Sequence, residues 1–146
     1  MLLQITHREQ RQIEIFCLKG PLTFGDPDLA FQSVIEQAIA SGKIRLVIDL
    51  SGVSWMDCTG RATLLATDER LRALGGGLAL VHLRSVPMDP TEVGKLERFF
   101  EPFELEQEAV NSFFPDLRVR RLDLLETIKS YRRSAHTPER QRLPVR

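Results

Sequence analysis

Four consecutive residues, Asp57-Cys58-Thr59-Gly60, place a carboxylate, a thiol and a hydroxyl side by side at one point of the sequence. An amphipathic helical pattern begins directly after them. It has leucines at about helical spacing and ends at a glycine: Leu64, Leu65, Leu71, Leu74 and Gly75. The free amide N–H groups and the positive end of the helix dipole therefore lie beside Thr59. This environment favours a bound or attached anion.

A strand must deliver this tetrapeptide to the helix. The apolar segment Ile44 to Leu50 has the β-branched composition of a strand that is buried on both faces of a sheet. We expect the strand to end at the turn formers Asp49, Ser51 and Gly52. A short loop that carries Val53, Trp55 and Met56 then leads to the helix.

The N-terminal part predicts a hairpin followed by a helix. Two short apolar stretches, residues 3–7 and 13–18, flank a charged segment, and residues 19–23 are expected to leave the sheet. Asp26 as N-cap and Pro27 at the first helical position predict a helix that ends at Gly42. Its buried face is formed by five apolar residues: Phe31, Val34, Ile35, Ala38 and Ile39.

The part after the central helix repeats the alternation of strand and helix. Gly75-Gly76-Gly77 turns the chain into a second buried strand, residues 78–83, and Thr91 then caps a short helix. Residues 103–105 predict an edge strand and residues 106–114 a last helix of the domain. The order predicts an α/β fold with parallel pairings inside a mixed β-sheet and helices packed on it.

Composition limits the function classes. The 146 residues suffice for one domain with tails, and the formal net charge of zero argues against a general nucleic-acid binder. The charge is uneven, because residues 117–146 hold nine Lys or Arg against three Asp or Glu, whereas the rest carries −6. With neither a signal-like start nor an apolar run that approaches the ~20 residues of a membrane span, we expect a cytoplasmic protein without membrane insertion. Two cysteines, Cys17 and Cys58, are expected to be reduced thiols.

The central motif resembles the STAS domain, a family named after sulphate transporters and anti-sigma factor antagonists. The resemblance covers about residues 3–114, and three segments carry it: Asp49-Leu50-Ser51-Gly52-Val53, Met56-Asp57-Cys58-Thr59-Gly60 and Gly75-Gly76-Gly77-Leu78-Ala79-Leu80-Val81. Two residues depart from the family pattern. Cys58 stands where many members have serine, and Arg61 stands where an apolar residue is usual.

The resemblance implies a regulatory protein that binds and does not catalyse. In the antagonists of this family, an anti-sigma factor that is also a serine/threonine kinase phosphorylates the hydroxyl residue before the motif glycine, which is Thr59 here. The implied partners are this kinase and a phosphatase, with no cofactor and no metal, and the choice between a monomer and a homodimer is left open. The implied partner-binding residues surround Thr59: Trp55, Asp57, Cys58, Gly60 and Arg61. Two rival roles are an accessory subunit of a membrane transport system and a scaffold component of a stress-sensing complex.

The residues alone leave simpler roles open. Thr59 and Asp57 are both suited to capping the helix, and Trp55 is suited to the core as well as to docking. Arg61 is either a solvated residue of the first turn or a partner for a phosphate on Thr59. A nucleophilic Cys58 needs a positioned base, and no recognisable nucleophile motif surrounds it.

The C-terminal part lies beyond the resemblance. We take residues 1–115 as the STAS domain, residues 116–133 as an amphipathic helical extension and residues 134–146 as a disordered tail. An isolated helix of this length is marginal in water, so the extension is expected to pack on the domain or on a second copy.

Overall fold

Five strands form one mixed sheet in the order β1-β2-β3-β4-β5. The structure, a computed structural model, describes residues 2–114, so the predictions for residues 116–133 and 134–146 lie outside it. Strand β1 is antiparallel to β2, and the remaining neighbours are parallel, as the alternation of elements predicted. The strands are β1 (Gln4–Gln10), β2 (Ile13–Leu22), β3 (Arg45–Met56), β4 (Gly77–Val81) and β5 (Pro102–Phe103).

Within residues 2–114, four α-helices connect and cover these strands. They are α1 (Asp26–Ala40), α2 (Cys58–Ala73), α3 (Pro90–Glu97) and α4 (Glu106–Asn111), and a single 3₁₀ turn spans Leu83–Ser85. No helix in the described part of the chain is long and apolar enough to cross a membrane. Residues up to Val110 form one compact unit.

The N-terminal hairpin is confirmed, but its strand β1 is longer than predicted. Charged residues up to Gln10 stay in the ladder, and the turn contains only Arg11 and Gln12, whose φ angles are 55° and 67°. Both positive angles are those of the tight turn that matches the twist of a hairpin. The polar character of residues 8–10 therefore marks an exposed strand and not a loop.

Strands β2 and β3 also continue beyond their predicted ends. Residues 19–22 remain paired with β3, and Lys19 lies opposite Gly52 and Leu22 opposite Met56. The register of this pairing is irregular at two points, between Cys17 and Lys19 and between Gly20 and Pro21. A Cβ on Gly52 would lie 2.6 Å from the carbonyl oxygen of Leu18. Here the glycine permits close approach of two strands instead of forming a turn.

Two helix caps differ from the prediction by one or two residues. Gly25, with φ of 97°, occupies the N-cap of α1, and Asp26 is the first helical residue and makes no side-chain cap. Asp89 rather than Thr91 caps α3, and its side chain accepts a hydrogen bond from the Thr91 N–H at 2.9 Å. A proline lies in the first turn of each helix, where it loses no hydrogen bond.

The main core lies between the sheet and helices α1 and α2. Fully buried side chains from these elements include Phe31, Leu46, Ile48, Leu64 and Leu71. Fully burying such a side chain contributes about 1.5–3 kcal/mol, so this layer fixes the position of α2 on the sheet.

The opposite face of the sheet is also buried. Ile15 pairs with Arg8 of β1, and Arg8 forms an ion pair with Glu106 at the start of α4. Ala109 and Val110 of α4 are fully buried. Helix α4 therefore lies on the face opposite α1 and α2, and it ends at Asn111 rather than at the predicted residue 114.

The three-glycine turn after α2 follows the prediction. Gly75 has φ of 93°, and a Cβ on Gly76 would lie 1.8 Å from the carbonyl oxygen of Ile44. The buried carboxylate of Asp68 accepts a hydrogen bond from the Leu78 N–H at 3.1 Å and so ties α2 to β4. Strand β4 ends at Val81, two residues earlier than predicted, because His82 adopts a left-handed conformation with φ of 64°.

Candidate functional site

The start of α2 is held from both sides by backbone hydrogen bonds. The Met56 N–H donates to the carbonyl oxygen of Pro87 at 3.0 Å, and the Asp57 N–H lies 3.5 Å from the carbonyl oxygen of Leu22. The end of β3 is thus fixed between β2 and the segment that precedes α3. Because these contacts leave little freedom, the residues that follow Met56 have a defined position.

Asp57 is the N-cap of α2, as one of the two sequence interpretations predicted. Its Oδ1 accepts a hydrogen bond from the Gly60 N–H at 3.0 Å, which satisfies one free amide of the first turn. Its Oδ2 accepts a second bond, at 3.0 Å, from the N–H of Phe24 in the loop between β2 and α1. The two oxygens therefore join the helix to a loop 33 residues earlier.

Gly60 is buried against the end of β2. A Cβ at this position would lie 2.4 Å from the carbonyl oxygen of Leu22 and 2.9 Å from Cγ of Met56. Only glycine permits this approach, which lets α2 start directly on the sheet. Gly60 thus sets the position of the residues beside it, and its role in partner binding stays a prediction.

The four residues of the tetrapeptide differ in exposure: Cys58 is exposed, Asp57 and Thr59 are half-buried, and Gly60 is buried. Cys58 is exposed at the first position of α2, and Thr59 is half-buried at the second. Within residues 2–114, the hydroxyl of Thr59 makes no hydrogen bond with another described residue. Both cysteines are free, as predicted, and burial raises the pKa of the Cys17 thiol in β2.

The environment of Arg61 differs from both predicted alternatives, which were a solvated residue of the first turn and a partner for a phosphate on Thr59. Its guanidinium forms an ion pair with Glu92 of α3, which Lys95 also approaches at 3.3 Å. The bond from Arg61 holds the pKa of the Glu92 carboxyl below its ordinary value. Residues two apart in a helix do not share a face, so Arg61 points away from Thr59 and links α2 to α3.

A polar contact between α1 and α2 places Thr59 relative to α1. The Thr63 hydroxyl donates to Oδ1 of the buried Asp28 at 2.5 Å, and Gln32 donates to Oδ2 at 2.7 Å. Thr63 comes one helical turn after Thr59, so the two threonines lie on the same side of α2. Thr59 therefore faces the end of α1 that follows the Phe24 loop.

Two aromatic residues at the same end of the sheet are exposed. Trp55 in β3 is 47% exposed, and Phe24 is 80% exposed. Trp55 thus lies outside the core, and its role in docking stays a prediction. Sequence analysis missed Phe24 and Asp28, because their importance depends on contacts with residues more than 30 positions away and no local pattern marks it.

The sequence of this domain matches a known protein family. The family model of the STAS domain matches residues 4–109, which include the whole tetrapeptide and the strands before and after α2. The chain belongs to the STAS domain family. No curated protein matches the sequence.

Solved structures of STAS proteins have the same fold. A putative anti-sigma factor antagonist from Thermotoga maritima matches with a TM-score of 0.63 and 17% identity over 75% of this chain and 93% of that one. An anti-sigma factor antagonist from Mycobacterium paratuberculosis gives 0.60 and 19% over 76% and 93%. The phosphorylated form of the Bacillus cell fate determinant SpoIIAA gives 0.55 and 22% over 75% and 97%.

Backbone hydrogen bonds and the close approach of Gly60 therefore place the start of α2 of this STAS protein directly on the sheet. The exposed or half-buried side chains near it include a thiol, a hydroxyl and two aromatic rings: Cys58, Thr59, Phe24 and Trp55. Within the described residues, no group of three or more His, Cys, Asp or Glu side chains could hold a metal ion. The domain boundary at residue 115 stays a prediction.

Proposed function

We propose that this STAS protein is an anti-sigma factor antagonist that binds an anti-sigma factor with serine/threonine kinase activity and is switched off by phosphorylation of Thr59. The observation that carries the proposal is the position of Thr59. It occupies the motif position at the second residue of α2, half-buried and with no hydrogen bond from its hydroxyl to another described residue. The phosphorylated form of SpoIIAA, which shares the fold, supports the assignment.

The switch follows from local electrostatics. A phosphate on Thr59 adds about −1.5 to −2 charge close to the Asp57 carboxylate. The start of α2 tolerates this charge in the free protein because the helix dipole and the free amides favour an anion there. In the complex the same charge is desolvated against the partner, and this cost weakens binding.

The docking surface comprises Phe24, Trp55, Cys58 and Thr59. Asp57 and Gly60 hold these residues in place, and Arg61 fixes the flanking helix α3. ATP belongs to the kinase, so the antagonist needs no cofactor and no catalytic group of its own. A phosphatase restores the active form, and the whole cycle takes place in the cytoplasm.

Calorimetry with a purified anti-sigma factor kinase from the source organism tests the proposal. Thr59→Glu should bind at least several-fold more weakly than the wild type, because a charge in a desolvated contact costs on the order of 1–3 kcal/mol. Ser33→Glu adds the same charge on the exposed side of α1 and should bind like the wild type. Equal affinities of the wild type and Thr59→Glu would refute the switch.

A further inference from the structure

We propose that Asp57 is a positioning residue that fixes Phe24 beside Thr59, where Phe24 acts as the apolar anchor of the docking surface. The inference rests on the proposed function, since it names a second contact of the same surface and the residue that controls it. Its partner is an apolar pocket on the anti-sigma factor.

Capping alone does not explain both hydrogen bonds of Asp57. A helix N-cap needs one acceptor atom, and serine, threonine or asparagine supplies it as well as aspartate does. Asp57 uses Oδ1 for the Gly60 N–H and has a second oxygen left for the Phe24 N–H, at 3.0 Å. A bond to a charged acceptor is stronger than a neutral one, so the loop is held firmly at this point.

The loop that carries Phe24 is also fixed behind this residue. The Asp28 N–H donates to the carbonyl oxygen of Thr23 at 3.1 Å, and the Leu29 N–H donates to that of Gly25 at 3.0 Å. Backbone groups on both sides of Phe24 are therefore hydrogen-bonded, whereas Phe24 as a whole residue is 80% exposed. A large ring on a rigid backbone loses little conformational entropy on binding, which is the property of an interface anchor.

Trp55 is a second exposed aromatic residue at this end of the sheet. Pro21 pairs with Trp55, and Leu22 pairs with Met56. Trp55 near the end of β3 and Phe24 just after the end of β2 therefore lie at the same end of the sheet. Two exposed aromatic residues beside an accessible hydroxyl suit a partner that combines an apolar pocket with a kinase active site. This arrangement favours the anti-sigma factor over a second copy as the occupant.

The first part of the test uses the free protein. Asp57→Ser keeps a capping oxygen for Gly60 and has no second acceptor for Phe24, whereas Asp89→Ser makes the same change at the cap of α3. NMR hydrogen exchange of the Phe24 amide should become at least about tenfold faster in Asp57→Ser and stay unchanged in Asp89→Ser. The melting temperature of each variant reports separately on the fold. An unchanged exchange rate in Asp57→Ser would overturn the inference.

The second part measures binding of a purified anti-sigma factor kinase to Phe24→Ala, Asp57→Ser and the double variant. Phe24→Ala should weaken binding at least about tenfold, and Asp57→Ser should add little in the Phe24→Ala background, because it acts through Phe24. Additive losses, or wild-type affinity of Phe24→Ala, would overturn the inference alone. No binding by the wild type would instead contradict the proposed function itself.

Discussion

The glycine at position 60 sets the distance between α2 and the sheet. Gly60→Ala places a methyl group 2.4 Å from a backbone carbonyl oxygen, which cannot move aside as a side chain does. We expect a loss of about 1–3 kcal/mol in the free energy of unfolding, because overpacking shifts the start of the helix. Urea denaturation monitored by circular dichroism measures it.

Gly94 in α3 is the matched control for this substitution. A Cβ at Gly94 meets nothing within 4 Å, and alanine is the better helix former by about 0.8–1 kcal/mol. Gly94→Ala should therefore stabilise the protein, so the same substitution has opposite signs at the two sites. A neutral or stabilising effect of Gly60→Ala would show that α2 does not depend on this close approach.

Residues differ in how far their roles follow from the sequence. The capping role of Asp57 is predictable, since a cap depends on the four residues around it. Its bond to Phe24 is not, because it joins residues 33 positions apart. Arg61 shows the same limit, since its partner Glu92 lies 31 positions later and on another helix.

Helices α2 and α3 are joined by the Arg61–Glu92 ion pair, and this contact predicts a pH dependence. The pKa of Glu92 is lowered in the folded protein by the bond from Arg61, so the unfolded state binds more protons at acidic pH. The stabilisation is present above the ordinary pKa of a glutamic acid and is lost as the pH falls through the lowered value. Urea midpoints measured across this window should decline in the wild type.

Glu92→Gln removes the titrating group of this pair. Its urea midpoint should depend less on acidic pH than that of the wild type, whereas Glu69→Gln, an exposed position of α2, should leave the dependence unchanged. An equal decline in the wild type and in Glu92→Gln would mean that the pair does not connect the two helices.

Strand ends were the least predictable feature at the level of elements. Asp49, Ser51 and Gly52 are turn formers by type, yet all three lie inside β3. Strand β2 supplies backbone partners along this whole segment, and the two irregularities in the register absorb the misfit. Pairing across strands therefore overrides local preference, which a pattern within one segment cannot reveal.

The architecture of the whole domain was predictable because the alternation of strands and helices restricts the possible folds. Parallel pairing from β2 to β5 and the position of the site after β3 follow from that order and from the family motif. The face of the sheet on which α4 packs was not predicted. It depends on buried residues such as Ala109 and on the Arg8–Glu106 contact between distant parts of the chain.

The phosphorylation site tests the central claim most directly. The purified protein is incubated with the anti-sigma factor kinase and ATP, and the modified residue is located by peptide mass spectrometry. We predict one phosphate on Thr59 in the wild type, retention of this site in Thr59→Ser and in the control Ser54→Ala, and no major modification of Thr59→Val. A phosphate at another residue of the wild type, or normal modification of Thr59→Val, would contradict the account.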